Sequence, residues 1–448
     1  MQLYLRKQLV IAGIIYIGQM LVGFGMGWTA PVLPKLQDPE QSPISTEITP
    51  ALSSWIGSLL YIGCIIGPYI TGYFSNIIGR KPCLLIGGVI TAFSFILVIF
   101  TGNLTMIFAV RIIKGFGIGI IAVGNIVYIG EIASKNIRGI LLTATGIAGT
   151  LGTLIIFSVG PYVTYRGTGW LGLGLTLMFV GSVLLIPESP MFPVIKDRED
   201  EAKRILIDLG RHDEIEEFLA SKIERTDQKN VAEWKELFSI RSNRRALFML
   251  LTLNIFQQMS GIVAMLFFAT SIFDLAGSSV TPHIATIIIG VTQLGSSCFT
   301  PLFVEWSGRK TLLLLSTAVC GMSLTVLGTY FYFAERGYAV DETVGWLPLF
   351  TLILFFMFYD FGFGIIPGTL TGEMFRSNVR STGAAVTSTT AWLIGFVVSS
   401  VFGYMMVVGM HFIFWMFAAS CLCACLFTVF YVPETKGKSL IEIQEMLE

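Results

Sequence analysis

The chain has 448 residues, of which 54% are apolar and 13% are charged. A soluble protein has roughly 25% charged residues, so this composition argues against a water-soluble globular protein and predicts an exterior that faces lipid. The formal net charge is zero, which argues against the basic surface needed to bind nucleic acid.

Apolar runs follow one another along almost the whole chain. A helix that crosses a bilayer needs about 20 apolar residues, and we interpret twelve runs as such spans: roughly 8–29, 51–75, 83–101, 104–129, 139–162, 169–187, 245–272, 281–304, 311–333, 344–367, 381–406 and 411–431. The first run follows Arg6 and Lys7, as a signal peptide would. It is too long for one and lacks a small-residue cleavage site, so we expect it to be a span.

Three charged motifs end or join these runs, and each occurs twice in the same order. They are Gly79-Arg80-Lys81 and Gly308-Arg309-Lys310, Glu131 with Arg138 and Glu373 with Arg380, and Pro187-Glu188-Ser189 and Pro433-Glu434-Thr435. Any one motif alone is typical of a solvated loop. Three in register indicate one six-helix unit used twice. We therefore predict an N-terminal half over 1–190, a C-terminal half over 246–432 and a short tail over 433–448.

The segment between the two halves, 191–245, differs from the rest because it is rich in charge. Asp208 and His212 recur at helical spacing with apolar Ile205 and Leu209 between them, which predicts amphipathic helices in water or at the membrane surface. Most Lys and Arg residues outside the spans lie on the same side as this segment. That side is predicted to be cytoplasmic, with both termini inside.

Polar side chains inside the later spans mark a candidate binding site. Gln257 and Gln258 lie in the seventh span, Gln293 in the eighth and Asp360 in the tenth. Such groups usually face a cavity or a partner, and amides both donate and accept hydrogen bonds. Together with the aromatic face of Trp392 they suit a neutral polyhydroxylated ligand. Hydrogen bonding between helices is the alternative, and for Asp360 we favour it.

No arrangement of residues indicates an enzyme. His212, His283 and His411 are far apart, and no phosphate-binding loop is present, so ATP-driven transport is not supported. Cys421, Cys423 and Cys425 alternate along a predicted helix, where their side chains point in different directions, so we interpret them as packing residues and not metal ligands. We predict no catalytic residue, no metal and no cofactor.

These motifs carry a resemblance to a known family. The chain resembles the sugar porter family of the major facilitator superfamily over essentially its whole length, and within it the insect facilitated trehalose/glucose transporter-like group. The three repeated motifs are similar to the paired signatures of the family, and Gln257-Gln258-Met259-Ser260-Gly261 is similar to its seventh-span sugar-binding motif. The resemblance implies an all-α major facilitator fold with 12 transmembrane helices in two six-helix halves and cytoplasmic helices between them.

The resemblance also implies roles for individual residues. Gln257 and Gln258 would bind sugar hydroxyls, Gln293 stands where the family has an eighth-span Asn contact, and Trp392 stands at the eleventh-span aromatic. A cytoplasmic charge network would tie the two halves together and favour the outward-open state. Its members would be Arg80, Glu131, Arg138, Glu188, Glu305, Arg309, Glu373, Arg380 and Glu434.

Several positions depart from the family pattern. Gly146, Val263, Gly368 and Ala391 replace polar or aromatic residues, which favours a larger or less polar ligand than glucose. In the proton symporters of the family, a first-span Asp takes up the proton beside a fourth-span Arg. Here Arg111 is retained but Gly27 occupies the Asp position. Since glycine cannot titrate, we expect passive transport.

The predicted function is facilitative transport of a sugar, trehalose or a hexose, by alternating access. We expect a monomer in the plasma membrane whose partners are the small neutral sugar and the lipid bilayer. Three alternatives remain open: a sugar sensor without appreciable flux, a carrier of a non-sugar organic solute, and a proton-coupled sugar symporter. The short tail after Glu434 favours transport over sensing.

Overall fold

The computed structural model describes residues 2–215, 230–338, 343–375, 379–438 and 440–447. Residues 216–229 of the predicted linker and the side chains of Glu305 and Arg380 lie outside the described residues. Within the described ranges the regular structure is helical throughout, which agrees with the predicted fold class.

The first half and the linker that follows it supply nine α-helices to the described ranges. They are α1 (Gln2–Gly27), α2 (Thr29–Gln37), α3 (Pro50–Ile78), α4 (Arg80–Ile99), α5 (Leu104–Ile132), α6 (Lys135–Val159), α7 (Tyr165–Val183), α8 (Met191–Ile195) and α9 (Glu199–Asp208). Short 3-10 helices follow α6 and α9, at Gly160–Tyr162 and His212–Glu214.

The remaining described residues form a second set of helices. They are α10 (Asn230–Ser239), α11 (Arg241–Met259), α12 (Ile262–Leu275), α13 (Pro282–Ser307), α14 (Arg309–Ala334), α15 (Leu347–Phe358), α16 (Ile366–Met374), α17 (Arg380–Met406), α18 (Met410–Tyr431) and α19 (Leu440–Leu447). A π-helix, Tyr359–Phe363, joins α15 to α16.

The described helices are long and apolar enough to cross a membrane at 11 places. The predicted sixth span is the 19-residue helix α7, whose mean hydropathy is lowered by Arg166 and by its glycines. Large apolar side chains cover the outside of the helices. Ile140 of α6, Leu302 of α13 and Phe430 of α18 are 71%, 66% and 76% exposed, as expected for side chains that contact lipid.

Three predicted spans are interrupted. The first continues past Gly27 as the separate helix α2. The seventh is broken at Gly261, whose φ of 80° is left-handed, so the span predicted over 245–272 is formed by two helices, α11 and α12. In the tenth, the π-helix contains Gly362 and is followed by Gly364 and Pro367, residues that disfavour a regular helix.

The chain divides into two compact units. One comprises Met1–Trp28, Lys35–Glu47 and Leu59–Gln228, and the other Thr29–Pro34, Ile48–Ser58 and Lys229–Glu448. Within the first unit α4 packs against α5 and α7, and α1 packs against α6. Within the second unit α14 packs against α15 and α18, and α11 packs against α17. These pairs occupy corresponding places in the two predicted repeats, so each half is built on the same packing plan.

Glycines allow the backbones of neighbouring helices to touch in the first unit. A Cβ atom on Gly152 of α6 would lie 1.9 Å from the Met20 carbonyl oxygen of α1, and one on Gly115 of α5 would lie 1.9 Å from the Leu60 oxygen of α3. Any larger residue would force these helices apart. A Cβ atom on Gly146, by contrast, would meet no other atom within 4 Å.

Candidate substrate site and paired charge networks

The first charge network begins at the N-terminus of α4. Gly79 turns the chain with φ 107°, and the backbone N–H groups of Arg80 and Lys81 donate to Glu188 Oε1 at 2.9 and 3.1 Å. An anion at a helix N-terminus is stabilised by the free N–H groups and the helix dipole. Burial raises the pKa of Glu188, and the N–H bonds from Ser189, Lys81 and Arg80 lower it by less.

The Arg80 guanidinium forms the centre of this first network. Its Nε and Nη2 donate to the two oxygens of Glu131 at 2.9 and 3.0 Å, and its Nη1 donates to the Ser75 carbonyl at 3.0 Å. The Ser189 hydroxyl also donates to Glu131. The Arg80 and Glu131 side chains are only 4% and 10% exposed. One buried ion pair thus joins the ends of α3, α4 and α5 to the segment after α7.

The second half contains a network with the same parts. Gly308 turns with φ 84°, and the Arg309 and Lys310 N–H groups donate to Glu434 at 3.0 and 3.0 Å. Burial raises the pKa of Glu434, but N–H bonds from Lys436, Arg309 and Lys310 outweigh burial, and the net pKa lies below its ordinary value. This carboxylate is therefore held as an anion.

The second ion pair is looser than the first. Arg309 Nε and Nη2 both donate to Glu373 Oε1, at 3.1 and 2.8 Å, and the Thr435 hydroxyl donates to Oε2 at 2.5 Å. The Arg309 and Glu373 side chains are 20% and 25% exposed. Water can compete for this pair in a way that it cannot for Arg80 and Glu131.

The structure thus brings six of the nine predicted network residues together, in two groups of three. Each group makes its contacts inside one half of the chain. Arg138 donates to the Ala133 carbonyl at 3.2 Å, and its buried Nε has no hydrogen-bond partner among the described residues. Glu131 is therefore paired with Arg80. Glu305 and Arg380 cannot be placed, because their side chains lie outside the described residues.

Three residues that take part in these networks were not predicted from the sequence. Ser189 and Thr435 directly follow Glu188 and Glu434, and a hydroxyl at the same place in both repeats was a usable signal. Arg211 gave no such signal, because it is one of many charges in the linker. Its Nη1 donates to the Glu131 carbonyl oxygen at 2.6 Å, and its side chain is 1% exposed.

One of the predicted substrate residues, Gln257, contacts the break in the tenth span. Gln257 of α11 is 8% exposed, and its amide nitrogen donates to the Phe363 and Gly364 carbonyls at 2.7 and 3.1 Å. These carbonyls belong to the end of the π-helix and the residue after it, where regular helical bonding is interrupted. Irregular backbone at membrane depth needs such partners. Gln257 thus links the seventh span to the broken tenth span through two hydrogen bonds.

Gln293 lies on α13, which packs against the π-helix of the tenth span. Ser296, one turn further on, donates to Asp360 Oδ2 at 2.8 Å and to the Gln293 carbonyl oxygen at 3.0 Å. The side-chain oxygen of Gln293 is buried and lacks a hydrogen-bond partner among the described residues. An unpaired buried acceptor is costly, so a donor that reached this oxygen would be stabilising. Asp360 makes the structural hydrogen bond that was favoured for it.

Gln258 and Trp392 complete the predicted set. Gln258 is partly buried, and among the described residues no hydrogen bond uses its side-chain amide. Trp392 is partly buried on α17. A Cβ atom on Gly368, one turn after Gly364 on the tenth span, would meet no other atom within 4 Å. Gly368 therefore has open space where the family resemblance implies a bulky residue.

The position of the missing proton site is closed by packing. A Cβ atom on Gly27 would lie 2.9 Å from Thr153 Cγ2 and 3.2 Å from Phe157 Cε1, both on α6. Arg111 Nη1 is instead near the Gly25 carbonyl oxygen, at 3.5 Å. An Asp side chain at residue 27 would therefore require these side chains of α6 to move.

A family model described as sugar (and other) transporter matches residues 14–447. The chain belongs to this sugar transporter family. It is a membrane transporter and not an enzyme, as predicted.

Curated relatives extend the likeness over the full length. The chain is 33% identical over 450 residues to the facilitated trehalose transporter Tret1 of Polypedilum vanderplanki, covering 99% of this chain and 89% of the relative. It is 34% identical over 453 residues to the Tret1 of Bombyx mori, covering 100% and 88%. The predicted likeness to the insect group is confirmed.

Solved structures confirm the fold. The inward-open xylose transporter XylE of E. coli matches with a TM-score of 0.83 and 23% identity, covering 98% of this chain and 100% of that one. The XylE proton:xylose symporter bound to 6-bromo-6-deoxy-D-glucose matches with a TM-score of 0.78 and 22% identity, covering 99% of both chains. This sugar transporter family member therefore has the predicted major facilitator fold, and its described helices occupy the 12 predicted spans.

Proposed function

We propose that this protein is a facilitative carrier that moves trehalose or a hexose down its concentration gradient by alternating access. The observation that carries the proposal is full-length similarity, 33% and 34% identity, to two proteins named facilitated trehalose transporters. We place the carrier in the plasma membrane as a monomer, with both termini in the cytoplasm.

The polar groups around the tenth-span break support a sugar as the ligand. Gln258 and the unpaired oxygen of Gln293 together offer donors and an acceptor to a neutral polyol, and Trp392 offers an apolar face. The open space at Gly368 favours a ligand larger than one hexose ring. Trehalose, with two rings, is for this reason our first candidate.

The two charge networks support a gating role at the predicted cytoplasmic ends of the helices. Each network fastens the ends of several helices within one half, so each half can move as a body. We propose that the networks contribute to alternating access by keeping the helix ends of each half fixed to one another while that half moves. Charge reversal at Arg80 or Arg309 should loosen the inner ends and raise the labelling of cysteines placed there.

The test is uptake of radiolabelled sugars into proteoliposomes, with trehalose, glucose and other mono- and disaccharides compared. Saturable uptake that equilibrates, and that does not respond to an imposed pH gradient, would support the proposal. Gln258→Ala should lower apparent affinity, while substitution of the exposed Arg166 serves as the matched control.

Each alternative gives a different result in the same vesicles. Binding without flux would indicate a sensor, and uptake of other organic solutes in preference to sugars would indicate a different cargo. Concentrative uptake that a protonophore abolishes would indicate a symporter. Asp360, held by Ser296 at 2.8 Å, would then be the first carboxylate to replace.

A further inference from the structure

Two basic side chains lie inside the first unit, away from its charge network. Arg111 and Lys114 are one turn apart on α5, and both are 0% exposed. Residues three apart share a helix face. Both extend over the indole ring of Trp28, with Arg111 Cζ at 5.5 Å and Lys114 Nζ at 4.2 Å from its centroid. Two basic side chains therefore share one buried environment at membrane depth.

Lys114 has no polar partner there. Its Nζ is buried without a hydrogen bond in the described part of the chain, and its other neighbour is the Phe95 ring, at 4.1 Å from the centroid. The faces of two aromatic rings attract an ammonium ion. This attraction offsets only part of the cost of removing the ion from water.

The surrounding helices offer these two side chains no carboxylate. The sequences of α1, α2, α3, α4, α6 and α7 contain no Asp or Glu, and α5 contains only Glu131. Glu131 lies about 25 Å further along the helix axis, at a rise of about 1.5 Å per residue. It is also already paired with Arg80. Any neutralising charge must come from outside these helices.

We propose that Arg111 and Lys114 form a binding site for a small monovalent anion, chloride. Close packing limits the size of the ligand. A Cβ atom on Gly25 would lie 2.1 Å from Ile118 Cδ1 and 3.9 Å from Lys114 Cδ, so α1 packs closely on α5 beside the Lys114 side chain, and this packing favours a small ligand. A halide needs one contact with each cation and can also rest against the positive edges of the rings.

The first experiment measures stability and does not depend on transport. The purified protein is unfolded by heat while chloride replaces gluconate stepwise at constant ionic strength. Because the anion binds the folded state, the apparent Tm should rise and then saturate. Bromide should act like chloride, and sulfate should act like gluconate. Direct binding of labelled chloride to the same protein should saturate over the same range.

Two variants locate the effect. Lys114→Met should abolish both the halide response and the binding of labelled chloride. Lys196→Met is the matched control, because Lys196 also lies near an aromatic ring, 5.8 Å from the centroid of Phe192, but is exposed to water. Its halide response should equal that of the wild type.

A built-in carboxylate provides an independent check. Gly25→Asp combined with Ile118→Ala places an acid beside Lys114 with room for its side chain, and the Tm of this protein should no longer depend on chloride. The proposal is overturned if the wild-type Tm is the same in chloride and gluconate, since Lys114 would then need no anion. A full halide response in Lys114→Met would overturn it as well.

Discussion

Replacing the arginine of each charge network by methionine should reveal how unequal the two networks are. Arg80→Met and Arg309→Met remove the same group from corresponding places in the two repeats and keep a similar side-chain length. The difference between them lies in burial. Arg80 and Glu131 are 4% and 10% exposed, whereas Arg309 and Glu373 are 20% and 25% exposed.

The expected loss in the free energy of unfolding depends on the hydrogen bonds that each carboxylate keeps when its arginine is removed. Without Arg80, Glu131 loses hydrogen bonds to both oxygens and keeps the one from Ser189 in a buried site. Removing one partner of a buried ion pair costs about 3–5 kcal/mol. Without Arg309, Glu373 keeps its bond from Thr435 and gains water. We expect that loss to be about 1–2 kcal/mol.

The assay is the free energy of unfolding in mixed micelles, measured by titration with a denaturing detergent. Arg166→Met, at an exposed arginine of α7, controls for the general effect of removing a positive charge. Arg80→Met should be the least stable of the three proteins by a clear margin. Equal losses for Arg80→Met and Arg309→Met would refute the argument from burial.

Other predictions concern single side chains. Gln257→Ala should lower both stability and sugar affinity, because the Gln257 amide donates to two backbone carbonyls. Gln258→Ala should lower sugar affinity alone. The Tm reports stability, and uptake kinetics report affinity. The pKa of Glu188 is raised, so acidification from about pH 6 to about pH 4 should stabilise the wild type relative to Glu188→Gln. The pKa of Glu434 is lowered, so the same acidification should destabilise the wild type relative to Glu434→Gln. Thermal unfolding across that range checks both signs. Gly152→Ala should prevent normal packing of α6 on α1, because its Cβ would lie 1.9 Å from a backbone oxygen. Gly146→Ala, on the same helix, should be tolerated because its Cβ would meet no other atom within 4 Å. The yield of monodisperse protein measures the difference.

Much of this architecture could be predicted from the sequence because its signals are local. Spans are visible as apolar runs, and the paired motifs around Arg80 and Arg309 are visible as repeats. The break in the tenth span was visible in Gly362, Gly364 and Pro367. The resemblance named Gln257 and Gln258, but the sequence could not say that only Gln257 is already committed to backbone carbonyls.

The remaining features depend on where distant parts of the chain meet. The break at Gly261 needs a left-handed conformation, which a single glycine in an apolar run does not reveal. Arg211 joins the first network only because the linker folds back on the end of α5. In the sequence, Lys114 is a single basic residue near the middle of the fourth predicted span. Its significance comes from the two rings beside it and from helices that carry no acid within reach.

If Gln257 binds the sugar, as the family resemblance implies, sugar and protein backbone compete for one amide. A sugar hydroxyl that accepts from Gln257 displaces the Phe363 or Gly364 carbonyl, which must then find another donor or return toward regular helical bonding. Occupancy of the site and the shape of the tenth span are in that case thermodynamically linked, and the linkage is reciprocal. A substitution at Gly364 that straightens this span would therefore change sugar affinity without touching the sugar.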